Sequence, residues 1–444
     1  MILSATQALA ELRAGRVSSR ELTEQLLDRI DASELGALAS VRPEAALAAA
    51  ANADAMPARG PLHGLPVTVK DAFHVAGLPT TWGNPDWAHA VADDDATVVR
   101  RLRRAGAIVV GTTNVAMMLA DFGQTDNPLW GRTVNPYDPD RAAGGSSGGA
   151  AAALAAGLTY LEHGSDLVGS IRIPAAFCGV YGLRPTAGLM PATGFAPPGP
   201  LQLPSELAYF SAIGPLARTP ADLRLALSVT AGPELPGFSW QLPAPRHRRL
   251  GSYRVGVVLD SARAPVTDEV GAALSDALDA VARAGARVVV GWPAGVDPIE
   301  GYDAFGAQVG AFFAVQDPDQ AEGSLTEFMR EDARRMAYRA AWRRYFRDVD
   351  VFLSPVDFTV APPHDDRPFA ARTVAGRPYA DQSFWVAHAA LPGLPALAAP
   401  IGPTPDGLPV GLQIAGPRYQ DDTAITFAEL LAAEIGGYRP PPGV

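Results

Sequence analysis

The sequence predicts a layered α/β/α protein, and three observations carry that class. First, "LRRAGAIVVG" (102–111) and "VARAGARVVVG" (281–291) share one grammar, a helix closing on a glycine followed by a β-branched run ending in glycine. Each is a helix-to-strand unit of an α/β fold. Second, "YRVGVVLD" (253–260) and "DVDVFLSP" (348–355) read as further buried strands, so helices and strands alternate through most of the 444 residues. Third, 48% hydrophobic against 19% charged residues is the balance of a globular chain with much buried surface, which excludes a disordered one.

Taken in order, residues 18–30, "SSRELTEQLLDRI", open with Ser18 three positions before Glu21, a capping-box pattern. They continue with Leu22, Leu26, Leu27 and Ile30 on one helical face. "LPVTVKDAF" (65–73) reads as a short strand that ends in Lys70 and Asp71. The alanine-rich run behind "GGSSGG" (144–149) is expected to be helical. The best loop candidates are 191–204 and 234–250, but neither marks a change in composition. Length alone suggests two or three domains; the expectation here is one domain over 1–444, with 231–252 an internal connector.

Charge narrows the partners. Lysine plus arginine number 36 against 47 for aspartate plus glutamate, a net charge of −11, so the surface field repels phosphate backbones and anionic lipid. Nucleic acid is excluded as an expected partner. The single cysteine, Cys178, allows no intramolecular disulfide and suits a reducing, cytoplasmic setting as a core thiol. The N-terminus acquires Glu11, Arg13 and Arg16 without a sustained apolar region, so no signal peptide is expected. The stretch 385–402 is apolar but broken by prolines, so no membrane span is expected either. None of the seven histidines has catalytic or metal-binding spacing, and neither a metal nor a cofactor is expected. A homodimer remains as open as a monomer.

The stretch "RAAGGSSGG" (141–149) has several readings. A phosphate cradle at a helix N-terminus would need the lysine of a G-x-x-x-x-G-K-[ST] pattern, which is absent. Gly144, Ser146 and Gly148 fit the G-x-S-x-G elbow, yet the preceding "NPYDPDRAA" is a polar loop and not the buried strand an elbow requires. A plain structural turn is the third reading. Ser170 lies 24 residues on from Ser146, in "EHGSDLVGSIRIPAAFCGVYGLRPT" (162–186), as a second glycine-flanked serine.

Together these pieces resemble the amidase signature family. The resemblance rests on a G-x-P-x-x-V-K-D-like segment at 64–71, Asn-Pro at 135–136, G-G-S-S-G-G at 144–149 and G-S-I-R-I-P-A-A-x-C-G at 169–179, with a weaker match over 393–422. Its fold implies a large mixed central sheet. It makes Ser170 the acylated nucleophile, Ser146 a bridging serine behind a cis peptide bond, and Lys70 the base. It also makes the backbone N–H groups of Leu167, Val168, Gly169 and Ser170 the oxyanion hole, where each preorganised donor contributes about 3 kcal/mol. Amide hydrolysis needs these parts, and a buried lysine replaces histidine when its pKa falls far enough to leave it neutral.

Three residues depart from the family pattern: Val168 where glycine is usual, Met117 where an acidic residue is usual, and Arg184 in place of lysine. Val168 would be strained if the loop there needed positive φ. Asp166 and Arg172 are expected to organise the loop, and Ser147 to cap the following helix. Met117, Met118, Trp130, Ile171 and Phe177 lie near the motifs in sequence and suggest a pocket for a neutral, apolar or aromatic acyl group.

The expected function is hydrolysis of a small-molecule carboxylic amide through an acyl-enzyme on Ser170. The alternatives are an esterase or carbamate hydrolase with the same three residues, one component of an amidotransferase, and a binding protein on the same scaffold.

Overall fold

The computed structural model describes residues 2–197, 210–235, 237–314 and 324–444. Its spine is an eight-stranded sheet with the order Glu162–Asp166, Ala212–Ala217, Tyr181–Arg184, Ala396–Pro403, Pro409–Ala415, Val351–Pro355, Arg254–Val257 and Arg287–Val290. The first six strands pair antiparallel, and the last three pair parallel, so the sheet is mixed. Arg254–Val257 and Arg287–Val290 are joined by helix Asp268–Arg283, the crossover that a parallel pair demands.

Side chains along the central strands alternate between two cores, as the two-residue period requires. Leu397 and Ala399 join one core with helices Pro220–Thr230, Asp268–Arg283 and Asp421–Ile435. Ala396 and Ala398 join another with helices Gly148–Ala155, Arg172–Phe177 and Ser383–Ala390. The sheet is therefore the middle layer of an α/β/α sandwich.

Both helix-to-strand units form as read. Helix Thr97–Arg104 turns at Gly106 into strand Ile108–Thr113, and helix Asp268–Arg283 turns at Gly285 into Arg287–Val290. That last strand is the exception to burial, since it pairs on one side only and leaves Val290 81% exposed. Helix Ser19–Asp31 has the capping box, with Ser18 Oγ accepting from Glu21 N at 3.1 Å, and buries Leu22 and Leu26. From 231 to the short 3-10 turn Leu250–Ser252 the described chain is loop; the candidate loop 191–204 lies outside the described residues from 198 onward. Among the described residues no helix is long and apolar enough to cross a membrane.

A smaller sheet positions the site. Ile108–Thr113 lies between Leu38–Val41, antiparallel, and Pro66–Lys70, parallel. Every residue of Pro66–Lys70 is buried, so the strand carries its terminal lysine into the interior, against Glu162–Asp166 of the large sheet.

Candidate active site

Lys70 is fully buried, and its Nζ donates to two hydroxyls, Ser146 Oγ at 2.7 Å and Ser165 Oγ at 3.0 Å. Burial penalises the ammonium and pushes the lysine pKa down to about 7, partly opposed by the carboxyls of Asp166 and Glu162. A strand-end lysine is ordinarily a solvated charge; this one is poised to lose its proton near neutrality.

Ser146 follows a cis peptide bond from Gly145. Gly145 N donates to Phe122 O at 2.8 Å, which draws the loop so close that a Cβ at 145 would stand 2.5 Å from Gln124 O and 2.6 Å from Asp121 O. Thr125 Oγ1 fastens both sides of the loop, donating to Gly144 O at 2.8 Å and accepting from Gly148 N at 3.1 Å. Ser147 occupies the cap position of helix Gly148–Ala155, but its hydroxyl makes no capping bond. The expected cap is absent, and Ser147 Oγ is buried without a partner among the described residues. Its amide does the linking instead, donating to Ser170 O at 3.3 Å and tying the two serine loops together. No hydrogen bond joins the side chains of Ser146 and Ser170 among the described residues.

The Ser170 loop is built around Asp166. Its carboxylate accepts from Gly169 N (3.0 Å), Ile171 N (3.3 Å), Arg172 Nε (2.9 Å) and Arg172 Nη2 (2.8 Å), with Arg184 Nε at 3.6 Å. Burial opposes this charge, but the two guanidiniums and the amides outweigh it and hold Asp166 at about 2. Val168 does not use the left-handed region, whereas Gly169 does, at φ 87°. The β-branched residue is thus accommodated without positive-φ strain. With Gly169 N committed to Asp166, the amides of Leu167, Val168 and Ser170 have no acceptor among the described residues.

Ser170 opens on a cavity of about 540 Å³. Its apolar wall comes from one stripe of helix Pro298–Ala314, namely Tyr302, Phe305, Val309 and Phe313, facing Leu119, Phe122 and Phe369. Phe122 stacks on Tyr379 at 5.6 Å and meets Phe369 edge-on at 5.5 Å. The carboxylate of Asp121 at this wall is ion-paired with Arg372 and accepts from Tyr379 Oη at 2.7 Å.

A profile of the amidase family matches residues 21–300 and 303–425. The chain belongs to the amidase family. It is 34% identical to an indoleacetamide hydrolase of Bradyrhizobium diazoefficiens, over 98% of this chain and 86% of that protein. It is 35% identical to a glutamyl-tRNA(Gln) amidotransferase component of Thermus thermophilus, over 95% of this chain and 96% of the relative. Among solved structures, an inhibitor-bound protein complex linked to the origins of an s-triazine catabolic enzyme contains a chain that superimposes with a TM-score of 0.85 at 28% identity. That match covers 99% of this chain and 100% of the other. The protein is a hydrolase of amide carbon–nitrogen bonds with the mixed-sheet fold of that family.

In this amidase the structure brings Lys70 and Ser146 into direct contact and ties the Ser170 loop to theirs through the Ser147 amide. None of the residues expected around the acyl group is among those that line this cavity. Trp130 points its indole N–H at Asp71 Oδ2 (3.2 Å) and Thr81 Oγ1 (3.1 Å). Ile171 and Phe177 bracket the short helix Arg172–Phe177, which is buried on all sides against the central strands. Met117 is 41% exposed, and neither it nor Met118 lines the cavity. Their neighbours Leu119, Phe122, Leu167 and Val168 line the cavity instead, together with a helix some 130 residues later. The spacing of Tyr302, Phe305, Val309 and Phe313 was the available signal for an apolar helical stripe.

Two further groups of the amidase escaped the sequence reading. Ser165 is the second partner of Lys70, on strand Glu162–Asp166. Glu162, on the same strand and fully buried, is held by the hydroxyls of Thr68 and Thr113 and is pushed up to about 8 by burial. Burial thus favours the neutral form of both Lys70 and Glu162. An uncharged amine beside a protonated carboxyl holds the same number of protons as the ion pair and avoids the cost of two buried charges.

Proposed function

We propose that the chain is a stand-alone amidase that acts through an acyl-enzyme on Ser170, with Ser146 and Lys70 as its proton relay. The observation that carries this reading is the fully buried Lys70 Nζ, 2.7 Å from Ser146 Oγ, with its pKa lowered to about 7. Neutral Lys70 accepts the Ser146 proton as Ser146 accepts that of Ser170. Ser170 Oγ bonds the carbonyl carbon, and the charge on the carbonyl oxygen falls to the unengaged amides of Leu167, Val168 and Ser170. The proton then returns by the same route to the departing nitrogen, the C–N bond breaks, and ammonia or an amine leaves. Water attacks the ester with the same relay as base and frees the carboxylic acid.

The cavity suits a neutral, apolar or aromatic acyl group. Its wall is aromatic, its one buried-side carboxylate is already paired, and Asp303 at the rim repels an anionic substrate. A cytoplasmic, small-molecule role fits the buried thiol and the acidic surface.

Intact-protein mass after a fluorophosphonate probe, with peptide mapping, tests the assignment. The expected result is one adduct on Ser170, lost in Ser170→Ala and much slower in Lys70→Ala. No adduct on the wild-type protein overturns it in favour of a non-catalytic scaffold. Hydrolysis of glutamine in preference to a neutral aromatic amide such as indoleacetamide would point instead to one component of an amidotransferase.

A further inference from the structure

A second groove, of about 1060 Å³, opens between helix Leu325–Tyr345, the connector ahead of strand Arg254–Val257, and the turn at 417–420. None of its lining residues lines the cavity at Ser170. Its single carboxylate, Asp350, is already engaged by Arg246 (3.1 Å), His247 (3.1 Å) and Arg254 (3.2 Å). Arg339, Arg343, Arg347 and Arg418 face the same groove, and none of the four has an ion-pair partner among the described residues.

Two of these four are held in place by neutral groups. Arg339 Nε donates to Pro392 O at 2.9 Å, and Arg418 packs its guanidinium 4.9 Å from the ring of Tyr419 while donating to Tyr419 Oη at 3.2 Å. Arg418 Nε is buried with no partner among the described residues. Burial, together with repulsion from Arg418 and Arg335, pulls Arg339 down to about 10 against the opposing pull of Tyr419 and Asp332. Arg343 and Arg347 are exposed at the rim. This concentration of positive charge stands on a chain whose net charge is −11. A concave lining with a large excess of positive charge focuses its field into the groove, and the planar guanidinium fork matches oxyanions in two-pronged fashion.

We propose that this groove is a binding site for a small, multiply charged anion carrying phosphate or carboxylate groups, separate from the amide-hydrolysing centre. The ligand supplies the negative charge that Asp350 alone does not, with Arg339 and Arg418 gripping from the floor and Arg343 and Arg347 from the rim.

Titration calorimetry of the full chain with tripolyphosphate and, separately, with citrate tests this. The expected result is saturable one-to-one binding of at least one probe, weakened about tenfold or more in Arg343→Gln/Arg347→Gln. Amide hydrolysis should be unchanged in that variant, and the tighter probe names the oxyanion class. A control pair, Arg59→Gln/Arg104→Gln, changes the net charge equally at exposed positions outside the groove and should bind like the wild type. Absence of saturable binding by both probes overturns the proposal. So does affinity unaltered by the rim variant, or an equal loss in the control pair.

Discussion

The polar centre around Lys70 and the apolar cavity in front of Ser170 are built on opposite principles. In the centre almost every polar group has an assigned partner: Lys70 on two serines, Asp166 on two arginines and the loop amides, Glu162 on two threonines. The cavity is walled by side chains that meet through rings and aliphatic contacts, on segments far apart in the chain. Losing a member of a hydrogen-bond network is costly, because an orphaned buried group loses its hydration without recompense. Apolar walls tolerate exchange at the expense of fit. The difference teaches that, on the proposed function, reactivity and substrate choice would be set by separable parts of this molecule.

The hardest way to break the polar centre is to remove a member of the proposed relay. Ser170→Ala and Lys70→Ala are each expected to lower kcat about 10³-fold or more in a steady-state amide assay, and the double variant should fall little further, since the groups act as one unit. Asp166→Asn should leave the fold poorer by roughly 3–5 kcal/mol in denaturant unfolding, because Arg172 and Arg184 would remain buried beside an uncharged partner. An unfolding midpoint like that of the wild type would show that the backbone carbonyls and Gln413 hold those arginines without the carboxylate.

A gentler probe of the centre is pH. In the proposed relay Lys70 is a base only when neutral, and its pKa is lowered to about 7, so kcat/KM should be flat above neutrality and fall about tenfold per unit below it. A profile that stays level down to about pH 5 would exclude a lysine base.

The cavity side should respond less and more selectively. Phe305→Ala is expected to lower kcat/KM for an aromatic amide about tenfold while changing acetamide far less, since only the larger acyl group reaches that wall. Equal losses for both substrates would mean that Phe305 supports the fold and does not select. At the boundary between the two regions, Val168→Gly should cost only about 0.4–1 kcal/mol in stability, from added freedom of the unfolded chain, because residue 168 needs no positive φ.

The same division explains what could be read in advance. The positions proposed as the relay, Lys70, Ser146 and Ser170, stood out in the sequence because each sits in a short motif whose neighbours are dictated by backbone geometry, as Gly145 and Gly169 show. The α/β/α class was legible in the two helix-to-strand units and the β-branched runs. Ser165 was not, because a serine on a strand carries no mark of what lies opposite, and the register of two different sheets decides that it meets Lys70. The cavity was not, because Tyr302 and Phe305 form an ordinary amphipathic stripe until tertiary packing turns it toward Ser170. Met117 shows the converse, a large apolar side chain beside a motif that the local bend leaves at the surface.

The close approach of backbone at Gly145, and at Gly149, where a Cβ would stand 2.5 Å from the Asn114 backbone, has a consequence for how such a protein changes over generations. These positions admit no side chain at all, so random variation there is lost at once. The wall positions of helix Pro298–Ala314 already carry side chains and stand under no such restriction. Lineages exploring new amides would therefore diverge along that helix while the serine loop stayed still, and a saturation library confined to Tyr302, Phe305, Val309 and Phe313 would sample new specificities with the chemistry left intact.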